Sequence, residues 1–165
     1  MSTLKDFHFE VDASPLAGHR VRLTSAGKRP LEAAVPPEFR GGTPGMWSPE
    51  DLLVAAVAAC YAVTLDSLAE RRHVGLREVD IRAAGHVTRR AEGRLGFVAI
   101  ELAVRLYVDP GAEQEASHVA RDAHQVCLVS HALDVPVELE LDVRAEEAPR
   151  PPACSDAVTA VLAKR

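Results

Sequence analysis

The chain switches repeatedly between two hydrophobic periods. Near its start Phe7, Phe9 and Val11 alternate with His8, Glu10 and Asp12, the two-residue period of a half-buried strand. Val21 and Leu23 repeat it against Arg20 and Arg22, and Ser14-Pro15 with Gly18 marks a turn between, so a hairpin is predicted. Residues 36–47 hold three prolines and three glycines and are predicted as loop. A loop of that length in a compact domain is often functional. A helix start follows, with Ser48 as N-cap, Pro49 at the first position and Glu50 and Asp51 in the first turn. Asp51 stands three residues after Ser48, an approximate capping box with Asp in place of Glu. The helix is predicted to reach about Arg72, with Gly75 beyond its end. Its middle is apolar on every side, which predicts burial nearly all round.

Period two then returns. Val79–Val87 and Phe97–Val108 are predicted strands, the second with Val98, Ile100, Leu102, Val104 and Leu106 on one face, closed by Asp109-Pro110-Gly111. A second helix is predicted over Ala112–Leu133 and a last strand over Val135–Val143. This reads as one domain over residues 1–145. A C-terminal tail over 146–165 carries Pro149, Pro151 and Pro152, then a short amphipathic helix from Ser155. The two helices are separated by an apparent antiparallel pair, which favours α+β over a doubly wound parallel sheet. One sheet face cannot cover an apolar helix all round in a domain this small. A second subunit is expected to do so.

Composition adds limits. The 165 residues fit one domain, and 47% hydrophobic with 26% charged residues is ordinary for a globular chain. Aromatics are only 4%, so the core must be mostly Ala, Val and Leu, and dimerisation would help bury it. A net charge of −5, with only short basic pairs at Arg71-Arg72 and Arg89-Arg90, argues against nucleic acid as a partner. The first residues lack an apolar signal region. The longest apolar run, Leu52–Val63, is short of the roughly 20 residues that cross a bilayer. A cytoplasmic protein without a membrane partner is therefore expected, in which thiols are kept reduced. Three cysteines also make a poor disulfide framework, because one is left over.

Two of those cysteines, Cys60 and Cys127, sit in apolar helix-like stretches with 66 residues between them. Packing, metal binding and redox chemistry are the three readings. A lone cysteine in an Ala/Val helix is commonly a small core residue. His124, Cys127 and His131 fall at i, i+3 and i+7 on one face of the predicted helix, and with Cys60 could form a zinc site, although no CxxC or HExxH is present. An imidazolium there could instead depress the thiol pKa. Redox use needs a positive group delivered to Cys60, and Arg40, Arg20 and Arg22 are the candidates. Glu50 lies about 15 Å along the axis from Cys60 at the helical rise of 1.5 Å. The two can cooperate only if the helix bends sharply or two chains pair antiparallel. Taken alone, Glu50 is a residue favoured by the helix dipole, Arg40 a solvated loop residue and Trp47 a packing anchor for the loop.

Together these features resemble the OsmC/Ohr family of thiol peroxidases. Ser48-Pro49-Glu50-Asp51-Leu52-Leu53 followed by Ala58-Ala59-Cys60 is similar to the family's Asn-Pro-Glu-x-Leu and Ala-Ala-Cys helix. Cys127-Leu128-Val129-Ser130 is similar to its Cys-Pro-Val-Ser motif. Ser48 replaces Asn and Leu128 replaces Pro. The resemblance covers about residues 4–145. It implies an OsmC-like α+β fold, with antiparallel sheets packed around a long buried central helix, in an intertwined homodimer. It implies that Cys60 attacks a hydroperoxide and becomes a sulfenic acid, and that Cys127 resolves it as a Cys60–Cys127 disulfide. An arginine paired with Glu50 would hold the thiolate: Arg40 on the OsmC-like branch, Arg20 or Arg22 on the Ohr-like branch. Arg20 and Trp47 are the residues expected to contact substrate. A thiol reductant, a dihydrolipoyl protein or another cellular thiol, would reopen the disulfide, with no organic cofactor or metal required. The resemblance leaves Cys154 unexplained; a free surface thiol is expected there. A non-catalytic ligand-binding or structural dimer is the alternative.

Overall fold

The structure, a computed structural model, describes residues 6–145; the proline-rich tail, its expected short helix and Cys154 lie outside the described residues. The first sheet is an antiparallel meander of β1 (Asp12–Leu16), β2 (Arg20–Thr24) and β3 (Leu31–Ala34). A three-residue turn joins β1 to β2, with Gly18 at φ 75° and His19 at φ 56°, and pairs Leu16 with Arg20. That register places β1 after the Phe7–Val11 alternation, so the predicted first strand is displaced. Phe7 and Phe9 lie outside any strand and are 70% and 86% exposed. Pro15 is accommodated inside β1 because β1 is an edge strand, where its missing N–H costs no ladder bond. The four-residue β3, too short for a clear period, was not predicted.

The loop after β3 ends in a parallel bridge between Ala33 and Trp47, with the Ala34 N–H donating to the Trp47 carbonyl at 2.8 Å. The backbone of Trp47, rather than its half-exposed ring, is the anchor. Helix α1 (Pro49–Arg71) starts at the next turn through a complete capping box. The Ser48 hydroxyl accepts from the Asp51 N–H at 3.0 Å, and the Asp51 carboxylate accepts from the Ser48 N–H at 2.9 Å and from its hydroxyl at 2.8 Å. Ser48 is buried, so its removal strands a donor as well as freeing the helix end. Ser48→Ala is expected to cost about 1 kcal/mol, read as a lower midpoint in chemical denaturation.

By length and composition alone α1 could cross a bilayer. In the fold it packs on α2 (Glu113–Gln125) and β4 (Leu76–Arg89) through one stripe: Val57, Tyr61, Leu65 and Ala69, at the four-residue spacing of a single helix face. The rest of α1 is half-buried or exposed in the single chain, with Val63 67% exposed. Burial nearly all round is thus not achieved within one chain. One sheet and one helix reach only one side of it.

The second sheet is a long antiparallel pair, β4 with β5 (Leu95–Val108), plus β6 (Val137–Ala145) on the far side of β5. The alternation seen in the sequence holds on β5: Ile100, Leu102, Val104, Leu106 and Val108 are buried. All but Ile100 form one cluster with Tyr61 and Leu65 of α1 and Val119, Ala120 and Ala123 of α2. The expectation of antiparallel sheets fails at β6, which runs parallel to β5 with Ile100 opposite Val137 and Val108 opposite Ala145. Parallel neighbours need a crossover of about a dozen residues or more, and residues 109–136 supply it as α2 and α3 (Leu128–His131). The predicted single helix over Ala112–Leu133 is in fact these two pieces, broken at Val126 and Cys127. Two sheets and the helices between and beside their strands in sequence make the fold α+β.

Candidate active site

Cys127 is the N-cap of α3, in extended backbone at φ −66° and ψ 108°. The break turns its side chain into the core, where it is fully buried. The Ser130 hydroxyl donates to Cys127 Sγ at 3.2 Å. Burial opposes charge on this sulfur, but donors from Ser130, from the Val129 and Ser130 backbone and from the Cys60 thiol outweigh it. The Cys127 thiol is thereby held below the ordinary cysteine range.

Cys60 lies on α1 at the border between the buried stripe and the open face. It is half-buried and packs against the core cluster that contains Cys127. Its thiol is near enough to Cys127 to help lower the pKa of that sulfur, and both cysteines are free. Tyr61, next in the chain, donates its hydroxyl to the Ala120 carbonyl at 3.2 Å. Burial, and then the proximity of Cys127, push that hydroxyl far above its ordinary value, so Tyr61 acts as a fixed donor and spacer between α1 and α2.

Glu50 opens onto a different space, a cleft of about 500 Å³ lined by Trp47, Val54, Ala58, Gly85 and Phe97 among others. Gly85 allows the close approach of its walls, since a Cβ there would stand 2.5 Å from Phe97 and 2.7 Å from Val54. Glu50 Oε2 is buried with no hydrogen-bond partner among the described residues. None of the three candidate arginines reaches it within one chain. Arg22 pairs with Glu32 at 2.9 Å, and Arg20 lies 3.8 Å from the same carboxylate and donates to the Ala17 carbonyl. Arg40 is exposed in its loop and has no ion-pair partner among the described residues.

The structure therefore brings Cys60 and Cys127 together, sets Trp47 beside Glu50, and leaves Glu50 and the arginines apart from the thiols. The i, i+3, i+7 face of His124, Cys127 and His131 does not exist, because the helix breaks between them. His124 and His131 each spend Nε2 on a backbone carbonyl, that of Val137 at 2.9 Å and that of Gln125. No cluster of three or more metal-ligating side chains occurs among the described residues. Ser130 is the residue that sequence reasoning missed. Its signal was present: a hydroxyl three residues after a cysteine, with Leu128 standing where the related motif has proline, the residue favoured at the first position of a new helix.

Residues 42–142 match the family model described as OsmC-like protein. The uncharacterized protein YmaD of Bacillus subtilis is 24% identical over 144 residues, covering 84% of this chain and 95% of that protein. An OsmC-like protein of unknown function from Vibrio cholerae superposes with a TM-score of 0.72 at 15% identity, over 81% of this chain and 99% of that one. An organic hydroperoxide resistance protein from Elizabethkingia anophelis does so with a TM-score of 0.67 at 22% identity, over 86% of this chain and all of that one, 100%. At these identities the superpositions speak for the fold.

Proposed function

The chain belongs to the OsmC-like protein family, and from that membership and its paired thiols we propose that it is a cysteine-based peroxidase reducing organic hydroperoxides. The observation that carries the reading is the placement of Cys60, partly accessible, within reach of the buried Cys127. The Cys60 thiolate attacks the outer oxygen of R–O–O–H, the O–O bond breaks, and the alkoxide takes up a proton to leave as alcohol. Cys60 is left as a sulfenic acid. Cys127 attacks that sulfur, water departs, and the Cys60–Cys127 disulfide closes. A cytoplasmic dithiol, a dihydrolipoyl protein or another cellular thiol, returns the two electrons, and the reaction requires neither metal nor organic cofactor.

The working unit in this proposal is a homodimer. The open face of α1 and the exposed Val63, Val126 and Leu128 support it. So does the buried Glu50 oxygen, which finds no donor among the described residues. Arg40 is the arginine best suited to pair with Glu50, since Arg20 and Arg22 share Glu32. The organic part of the hydroperoxide lies against Trp47 in the Glu50 cleft.

Consumption of cumene hydroperoxide by the reduced protein, with a dithiol present, tests the reading. Before the dithiol is added, rapid loss of one peroxide and two thiols per chain is expected, and with it repeated turnover; consumption no faster than by free cysteine refutes the reading. Arg40→Ala is expected to slow that reaction about a hundredfold, the scale of one preorganised charge contact, while Arg20→Ala and Arg22→Ala stay within about threefold. Three equal small losses would sink the assignment of Arg40.

A further inference from the structure

We propose that when the Cys60–Cys127 disulfide is reduced, the incoming thiolate attacks Cys60 Sγ and Cys127 is the sulfur that leaves, received by the Ser130 hydroxyl. The inference rests on the peroxidase reading and concerns the half of its cycle that the peroxide does not enter.

Two independent observations point the same way. Thiol–disulfide exchange needs the attacking sulfur in line with the S–S bond, so access selects which sulfur is struck. Cys127 is fully buried and walled by the core of α1, β5 and α2. Every path to it runs through packed side chains. Cys60 is half-buried at the edge of that core, not inside it. The peroxide must also reach this sulfur, and a slender thiol can use the same route.

The leaving group is chosen by how well it carries negative charge. Ser130 Oγ is 3.2 Å from Cys127 Sγ and donates its proton to it. Ser130 donates to a neutral sulfur weakly and to a thiolate strongly, so its hydrogen bond strengthens as the S–S bond breaks. The balance is complete. A thiolate from the reductant bonds to Cys60 Sγ, and the S–S electron pair departs on Cys127. The reductant's second thiol, once deprotonated, then attacks its own sulfur in the mixed disulfide. Cys60 is released as thiolate and the reductant becomes a disulfide, with two electrons transferred and two protons lost from its thiols. Ser130 is thus a leaving-group donor, and its place at the third residue of α3 is set by the helix break at Cys127.

The test uses the full chain carrying Cys154→Ser, oxidised with diamide so that no peroxide step is involved. Glutathione is added first, the reaction is stopped after a short interval with excess N-ethylmaleimide, and the peptides are read by mass spectrometry. Glutathione on Cys60 and maleimide on Cys127 are expected; the reverse pattern overturns the inference and leaves the peroxidase reading standing. Failure of diamide to form the disulfide overturns both. Ser130→Ala is expected to slow disulfide opening about three- to tenfold and to raise the pH midpoint of Cys127 alkylation in a Cys60→Ser background, while Ser130→Thr restores both. An unchanged rate and midpoint in Ser130→Ala also overturns it, and the peptide map needs no variant at Ser130.

Discussion

Cys60→Ser is expected to abolish turnover of cumene hydroperoxide, a loss of ~10³-fold or more, because a hydroxyl at that position cannot ionise near neutral pH to attack the O–O bond. The protein should remain folded. Cys60 is half-buried at the edge of the core, and serine is close to it in volume. Cys127→Ser is expected to differ in kind. Cys60 would still reduce one equivalent of peroxide, seen as a single rapid loss of its thiol and a sulfenic acid trappable by dimedone. Recycling would stop, because no second cysteine remains among the described residues to close the disulfide. Rapid-mixing measurement of peroxide loss against turnover number separates the two. If both variants consume peroxide as the parent does, neither thiol has the role assigned to it. Cys127→Ser also tests the core, since a polar hydroxyl would replace a fully buried sulfur. A thermal melt of each reduced variant removes that ambiguity.

The largest effect on stability is expected at Leu102. It lies in β5, the middle strand of the second sheet, opposite Ala83 of β4 and Leu139 of β6. Its side chain is 0% exposed in the cluster with Tyr61, Leu65 and Val119. Leu102→Ala removes buried carbons from the layer where α1, α2 and the sheet meet, and a core of small residues has little slack with which to refill the space. A loss of about 2–5 kcal/mol is expected, measured by urea denaturation at fixed protein concentration so that any association contributes equally. Ala103→Ser, one residue along on the other face of β5, should stay within about 0.5 kcal/mol of the parent. A Leu102→Ala loss below about 1 kcal/mol would mean that the core is centred elsewhere.

The legibility of this fold in its sequence follows the range of the interactions involved. The start of α1 could be read to the residue, because Ser48, Pro49 and Asp51 act on one another within a single turn. The buried face of β5 could be read as well, since its alternation continues from Ile100 to Val108 in a strand of fourteen residues. The hairpin was misplaced because period two marks a strand but not its partner, and a turn with two positive-φ residues set the register instead. The break before α3 was hidden because Val126 and Leu128 are compatible with a continuous helix. Only packing of Cys127 into the core and the bond from Ser130 distinguish the broken form.

By itself the sequence determined the α+β class, the capped apolar helix, the position of two thiols in apolar segments and the motifs they share with a known family. Those are properties of neighbours along the chain, where spacing and side-chain type act directly. The tertiary structure alone decided that β6 runs parallel to β5, that α1 fully buries one stripe and leaves the rest half-buried or exposed, and that Glu50 Oε2 ends buried without a partner among the described residues. It also decided that Cys60 and Cys127 meet. Their contact joins residues separated by 66 others, and no local period encodes such a distance. It arises because the stripe on α1 and the core face of the second sheet must be buried together. The broken crossover between β5 and β6 then has one place to turn its cysteine inward.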